Sequence, residues 1–82
     1  MDISGYVGPA VRSLRGGKGY SQEELADRAE LDRTYVSGIE RNLRNPSVKS
    51  LQRIVAALET SLDVLFIEAR KLAEDAKRRR QR

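Results

Sequence analysis

Four side chains that cap helices, Ser21, Asp32, Ser47 and Ser61, punctuate this chain and leave room between them for short helices and little else. A capping oxygen accepts from the free N–H groups of a first turn, so each such residue ahead of apolar positions at three- and four-residue steps marks a helix start. Ser21 has Glu24 three positions on, the reciprocal partner of a capping box, with Leu25, Ala26 and Ala29 as the buried face that follows. Asp32 precedes a helix in which Val36 and Ile39 point inwards. At about 100° per residue, Thr34, Ser37, Gly38 and Arg41 then face outwards, with Arg33 at the near edge. A loop around Asn42 to Pro46 leads to Ser47 and a fourth helix whose core candidates are Val48, Leu51, Ile54, Val55 and Leu58. Ser61 opens a fifth, where Leu62, Leu65, Phe66, Ala69, Leu72, Ala73 and Ala76 form an apolar stripe longer than a small core requires. Upstream, a first helix starts near Gly8-Pro9, buries Val11 and Leu14, and ends at Gly16, Gly17 and Gly19. No sustained alternation of β-branched and polar residues competes with this pattern, and the predicted fold is all-α, a compact five-helix domain.

Composition removes several function classes. The 82 residues suffice for one domain, and without cysteine or histidine there is no disulfide, thiolate zinc site, histidine base or Ser-His-Asp triad. No enzyme, metal or cofactor is expected. The start MDISGYVGPAV lacks a basic stretch followed by a long apolar run, and no segment approaches bilayer length, which predicts a soluble cytoplasmic protein without a membrane partner. The net charge of +4 misleads about the body, because Lys77, Arg78, Arg79, Arg80 and Arg82 supply five of the 16 basic residues. Residues 1–76 carry 11 basic against 12 acidic groups, so attraction for a polyanion rests on local clustering of Arg33, Arg41, Arg44, Lys49 and Arg53. The chain divides into a domain over 1–76 and a basic tail over 77–82. The tail, KRRRQR, reads as a DNA-contacting arm, a helix end complementing the dipole, or a disordered run; composition favours disorder.

Gln22, Leu25, Ala26, Ala29, Leu31, Val36, Ser37, Ile39 and Glu40 stand at the spacing of the helix-turn-helix family of phage repressors and Cro proteins, which the chain resembles over roughly residues 9–66. Within it, LDRTYVSGIERNLRNPSVKSL is similar to the controller proteins of restriction-modification systems, small homodimers that bind paired palindromic sites upstream of their own gene. The resemblance implies a repressor-like fold and an ion pair between Arg15 and Glu40 tying helix one to helix three. Two departures stand out: Glu30 occupies a turn position where the family commonly has glycine, and Asn42 follows Glu40-Arg41 where glycine is frequent. Asparagine tolerates the left-handed backbone, whereas Glu30 in that conformation carries about 1 kcal/mol of strain.

The chemistry of helix three points the same way. Arg33 offers a fork to guanine O6 and N7, and Thr34 a methyl or hydroxyl to a neighbouring base edge. Gln22, Tyr35, Ser37, Arg41, Arg44, Asn45, Ser47 and Ser50 suit sugar-phosphate contacts that set orientation. Tyr35 lies about 70° from the buried direction, so its ring divides between packing and carrying the hydroxyl to DNA. Gly38 allows close backbone approach. The excess stripe on helix five predicts a homodimer, with Leu62, Leu65, Phe66 and Ala69 shared between the core and a twofold patch. The function expected is an autoregulatory controller on a palindromic double-stranded operator, with RNA polymerase a further candidate partner. A phage-type repressor, an antitoxin of the same fold, or an adaptor that docks a protein through helix five are the alternatives.

Overall fold

The computed structural model describes residues 2–80. A 3-10 turn over Ser4–Tyr6 leads into five α-helices: α1 (Val7–Lys18), α2 (Gln22–Ala29), α3 (Arg33–Glu40), α4 (Val48–Ala57) and α5 (Leu62–Arg80). The four caps are made as chemistry requires. Ser21 Oγ accepts from the N–H of Glu24 at 3.0 Å, Asp32 from Thr34 at 2.7 Å, Ser47 from Ser50 at 3.0 Å and Ser61 from Val64 at 3.3 Å. Only the reciprocal half of the capping box is absent among the described residues, because the Glu24 carboxylate turns instead to Arg28 one turn on, 3.3 Å away.

Gly16 and Gly17 do not end α1. The helix runs through both and stops at Gly19, whose left-handed backbone (φ 74°) lets its own N–H reach Gly16 O while the N–H of Tyr20 reaches Arg15 O. A Cβ on Gly16 or Gly17 would meet nothing within 4 Å. Gly17→Ala is therefore expected to stabilise the fold by about 0.5–1 kcal/mol, by lowering the backbone entropy of the unfolded chain, as a urea titration would show. Glu30 and Asn42 both adopt the left-handed conformation, with φ of 56° and 60°. Glu59, with φ 57°, joins them at the end of α4, where its carboxylate receives Lys18 Nζ at 2.8 Å.

Val11, Leu25, Val36, Ile39, Ile54 and Leu65 are the large side chains at the centre of the core, each contributing about 1.5–3 kcal/mol through burial. Leu14 is half-buried at its margin. Val48, expected in the core, is 66% exposed: it is the first residue of α4, and the packed face of that helix begins one turn later at Leu51. α1 approaches α3 so closely that a Cβ on Gly8 would lie 2.1 Å from Ile39 O. α5 packs on α1, α4 and the N-terminal turn: Ser13 donates to Glu68, and Ile3 lies with Phe66, Ile67 and Arg70. The expected disorder of the tail does not hold for Lys77 to Arg80, which continue α5; Gln81 and Arg82 lie outside the described residues. Extending an existing helix needs no new nucleus, and basic residues in a last turn complement its dipole. No helix among the described residues is long and apolar enough to cross a membrane.

Candidate nucleic-acid interface

α2 and α3 meet across Glu30, Leu31 and Asp32, and the buried residues Leu25, Ala26, Ala29, Val36 and Ile39 hold their inner faces in the core. That leaves Arg33 and Thr34 exposed on the first turn of α3, Ser37 half-buried, and Arg41 exposed at the helix end. Arg33, Arg41 and Arg44 enter no ion pair among the described residues, so their guanidinium groups remain open to an anion or a base edge. Asn42 turns the chain away from α3 and donates its Nδ2 to Gly5 O at 2.9 Å, anchoring the loop on the N-terminal turn.

Gly38 does not face outwards as helical periodicity suggests. It is buried beneath Arg44: a Cβ there would lie 2.7 Å from Arg44 Cγ, and Gly38 O accepts the N–H groups of Leu43 and Arg44 at 2.8 and 3.2 Å. The missing side chain thus lets the loop, not a nucleic acid, approach the helix. Arg44 is laid across α3 and still exposed, with Asn45 beside it. Leu43, 65% exposed next to Arg44, attracts no attention in a sequence reading because an apolar loop residue carries no periodicity.

Tyr35 is half-buried, its ring against the core and its hydroxyl donating to Ser50 Oγ at 3.2 Å. Ser47 Oγ also donates to Ser50 Oγ, at 3.0 Å. With two donors on its oxygen, Ser50 has its own proton free to point outwards, which suits a phosphate oxygen. This chain of hydroxyls links α3 to α4 and brings Tyr35, Ser47 and Ser50 together.

Behind α3, Glu40 is the one buried charged residue among the described residues, with a side chain 1% exposed. Arg15 Nε and Nη2 donate to its two oxygens at 2.7 and 3.0 Å, and Arg15 Nη1 donates to Tyr20 O at 2.9 Å. The hydrogen bonds that Arg15 donates to Glu40 hold its pKa above the ordinary value against the opposing effect of burial. Gln22 Nε2 donates to Glu40 Oε1 at 3.0 Å, so one carboxylate ties α1, α2 and α3 together. Gln22 keeps its amide oxygen and a second N–H for an outside contact.

The expected dimer residues divide. Leu65 and Ala69 are fully buried against the chain's own core and have no surface to share with a second copy; Leu62 is half-buried and Phe66 38% exposed. α1 covers the stripe that periodicity picks out. The apolar surface left open lies a step round α5, at Val64 (43% exposed) and Ile67 (45%), and Ile3, Phe66, Ile67 and Arg70 line a shallow groove there. The three-residue step from Val64 to Ile67 is the signal a second pass over the sequence could have used.

Arg44→Ala should weaken binding to every duplex by a similar factor and lower the salt dependence of affinity by about one unit per site, because its place on the loop suits a phosphate. A titration series in rising salt measures this; a changed base preference would make the loop a reader of sequence.

The model of the helix-turn-helix family matches residues 11–65. The transcriptional regulator SinR of Bacillus subtilis (strain 168) is 41% identical over 63 residues, covering 76% of this chain but only 57% of SinR, so the chain spans little more than half of that regulator's length. The control protein C.SmaI of Serratia marcescens is 40% identical over 66 residues, covering 80% of this chain and 79% of that one. The crystal structure of the restriction-modification controller protein C.Esp1396I superposes with a TM-score of 0.78 at 44% identity, over 87% of this chain and 93% of the other. C.Esp1396I has also been crystallised as a tetramer in complex with its natural 35 base-pair operator.

Proposed function

The chain belongs to the helix-turn-helix family, and from that premise we propose that it is a transcriptional regulator that binds double-stranded DNA through α3. The observation that carries the reading is the exposed first turn of α3, where the side chains of Arg33 and Thr34 have no partner among the described residues while Arg44 and Ser50 offer unsatisfied donors beside them. An eight-residue helix contacts too few bases for useful selectivity, so the protein acts as a homodimer on a palindromic operator. The exposed apolar surface of α5 around Phe66 and Ile67, rather than Leu65 and Ala69, supplies the twofold contact. Similarity to C.SmaI and C.Esp1396I over most of their lengths supports a finer reading, an autoregulatory controller of a restriction-modification system, with RNA polymerase as a partner when it activates. A footprint on the DNA upstream of the protein's own gene tests this: two symmetric half-sites about one helical turn apart are expected. Sedimentation should show a dimer at micromolar concentration. A chain that stays monomeric at high concentration, free and on DNA, rules out the palindrome.

A further inference from the structure

The last buried residue of α5 is Ala73 and the last half-buried one Ala76, yet the helix continues to Arg80. Lys77, Arg78, Arg79 and Arg80 are all exposed and enter no ion pair among the described residues. The acidic residues just before them do not neutralise them: Glu74 faces back towards Arg70, 3.9 Å away, and Asp75 is exposed and enters no ion pair among the described residues. One or two cations suffice to complement a helix dipole, and four in succession repel one another. The rest of the chain gives no comparable concentration of charge, since residues 1–76 hold 12 acidic groups against 11 basic. A helical, exposed run of cations on an otherwise near-neutral body matches a polyanion better than it matches packing or solubility.

Its placement narrows the choice. The middle of α5 lies beside the N-terminal turn, where Ile3 meets Ile67 and Arg70, and the helix extends onwards from there. The same turn receives Asn42 Nδ2 on Gly5 O, and Asn42 adjoins Arg41 and precedes Arg44 by two positions. The stretch of α5 from which the basic end extends therefore lies beside the turn that supports the loop carrying Arg41 and Arg44. From Arg70 to Arg80 the helix rises about 15 Å, and phosphates repeat every ~1.7 Å along the axis of a duplex. We propose that Lys77–Arg80 form a second DNA-contacting element, a sequence-independent clamp on the phosphodiester backbone of the duplex that α3 reads. The inference rests on duplex binding by α3, and assigns to the two elements separate tasks: α3 supplies the choice of site and the end of α5 supplies attraction common to all sites.

The test compares the full chain with a variant in which Lys77, Arg78, Arg79 and Arg80 are all changed to Gln, which preserves helix propensity and length. A chain ending at Ala76 serves as a second variant, and circular dichroism with a thermal melt verifies that each folds. Affinity is measured from about 50 to 200 mM salt on the footprinted duplex and on a scrambled duplex of equal length. If each tail engages about two phosphates, both variants should lower the slope of log affinity against log salt by roughly two per protomer, by the same amount on both duplexes. The preference between the duplexes should stay as in the full chain. Slopes equal to the full chain's on both duplexes overturn the proposal and leave the basic end to an acidic protein surface. A lost preference with unchanged slope also overturns it, since the end would then be reading bases. If the full chain binds both duplexes equally, sequence reading by α3 fails while the slope difference still decides the clamp; binding to neither removes both.

Discussion

Replacing Glu40 by alanine is expected to cost about 3–5 kcal/mol of folding free energy, a large part of the ~5–15 kcal/mol that holds a small domain together. The Glu40 side chain is 1% exposed and receives three hydrogen bonds, two from Arg15 and one from Gln22. Arg15 is itself only 16% exposed, so truncating Glu40 leaves a guanidinium out of water with Tyr20 O as its remaining acceptor. The cost comes mainly from that stranded charge, not from the lost attraction, because a buried pair gains little beyond the desolvation it must offset. Denaturant titrations of Glu40→Ala, Arg15→Ala and the double variant would measure the coupling, and the double variant should lose far less than the sum of the two single changes. Strictly additive losses would mean that the two groups act independently. Gln22→Ala should matter less, since it removes a neutral donor and leaves the Arg15 pair intact.

The same carboxylate shows which parts of the molecule can be read from sequence. Helix starts are local events: Ser21, Asp32, Ser47 and Ser61 cap groups two or three residues away, so the sequence alone locates four of the five α-helices. Helix ends are less local. Gly16 and Gly17 look like terminators, but the residue that ends α1 is the one whose left-handed backbone closes the last turn, Gly19. Periodicity assigns a face without saying what covers it. Gly38 lies on the outer side of α3 by angle and is buried because Arg44 folds over it; Leu65 and Ala69 lie on the longest stripe of α5 and are consumed by the chain's own core, leaving Val64 and Ile67 open. Contacts across the loop between α3 and α4, such as Tyr35 with Ser50, join residues with no shared periodicity and become visible only once the helices are placed. The exposed arginines are the opposite case, since a cation outside the apolar pattern of a capped helix is already placed by that pattern.

Arg33 is the sharpest instance, and Arg33→Ala should abolish the preference for operator over scrambled DNA while leaving weak binding to both. It is the first residue of α3, exposed and outside every ion pair among the described residues, so its removal should change fold stability by no more than about 0.5 kcal/mol. What it removes is a planar fork matched to guanine O6 and N7, worth about 1–3 kcal/mol per half-site and incurred twice on a palindrome. Each 1.4 kcal/mol is about a tenfold factor in affinity, so loss from both half-sites erases a large share of specific binding. The residual binding comes from phosphate contacts that the substitution does not touch, among them those suited to Arg44 and Ser50. Arg33→Lys separates charge from shape. Lysine keeps the attraction to the backbone but has no rigid fork, so it should retain the salt dependence of the parent chain while losing much of its preference. Competition titrations against operator and scrambled duplexes distinguish the cases: equal loss on both for Arg33→Ala, with full recovery by lysine, would make Arg33 a phosphate clamp and move the reading of sequence to Thr34 or to the loop.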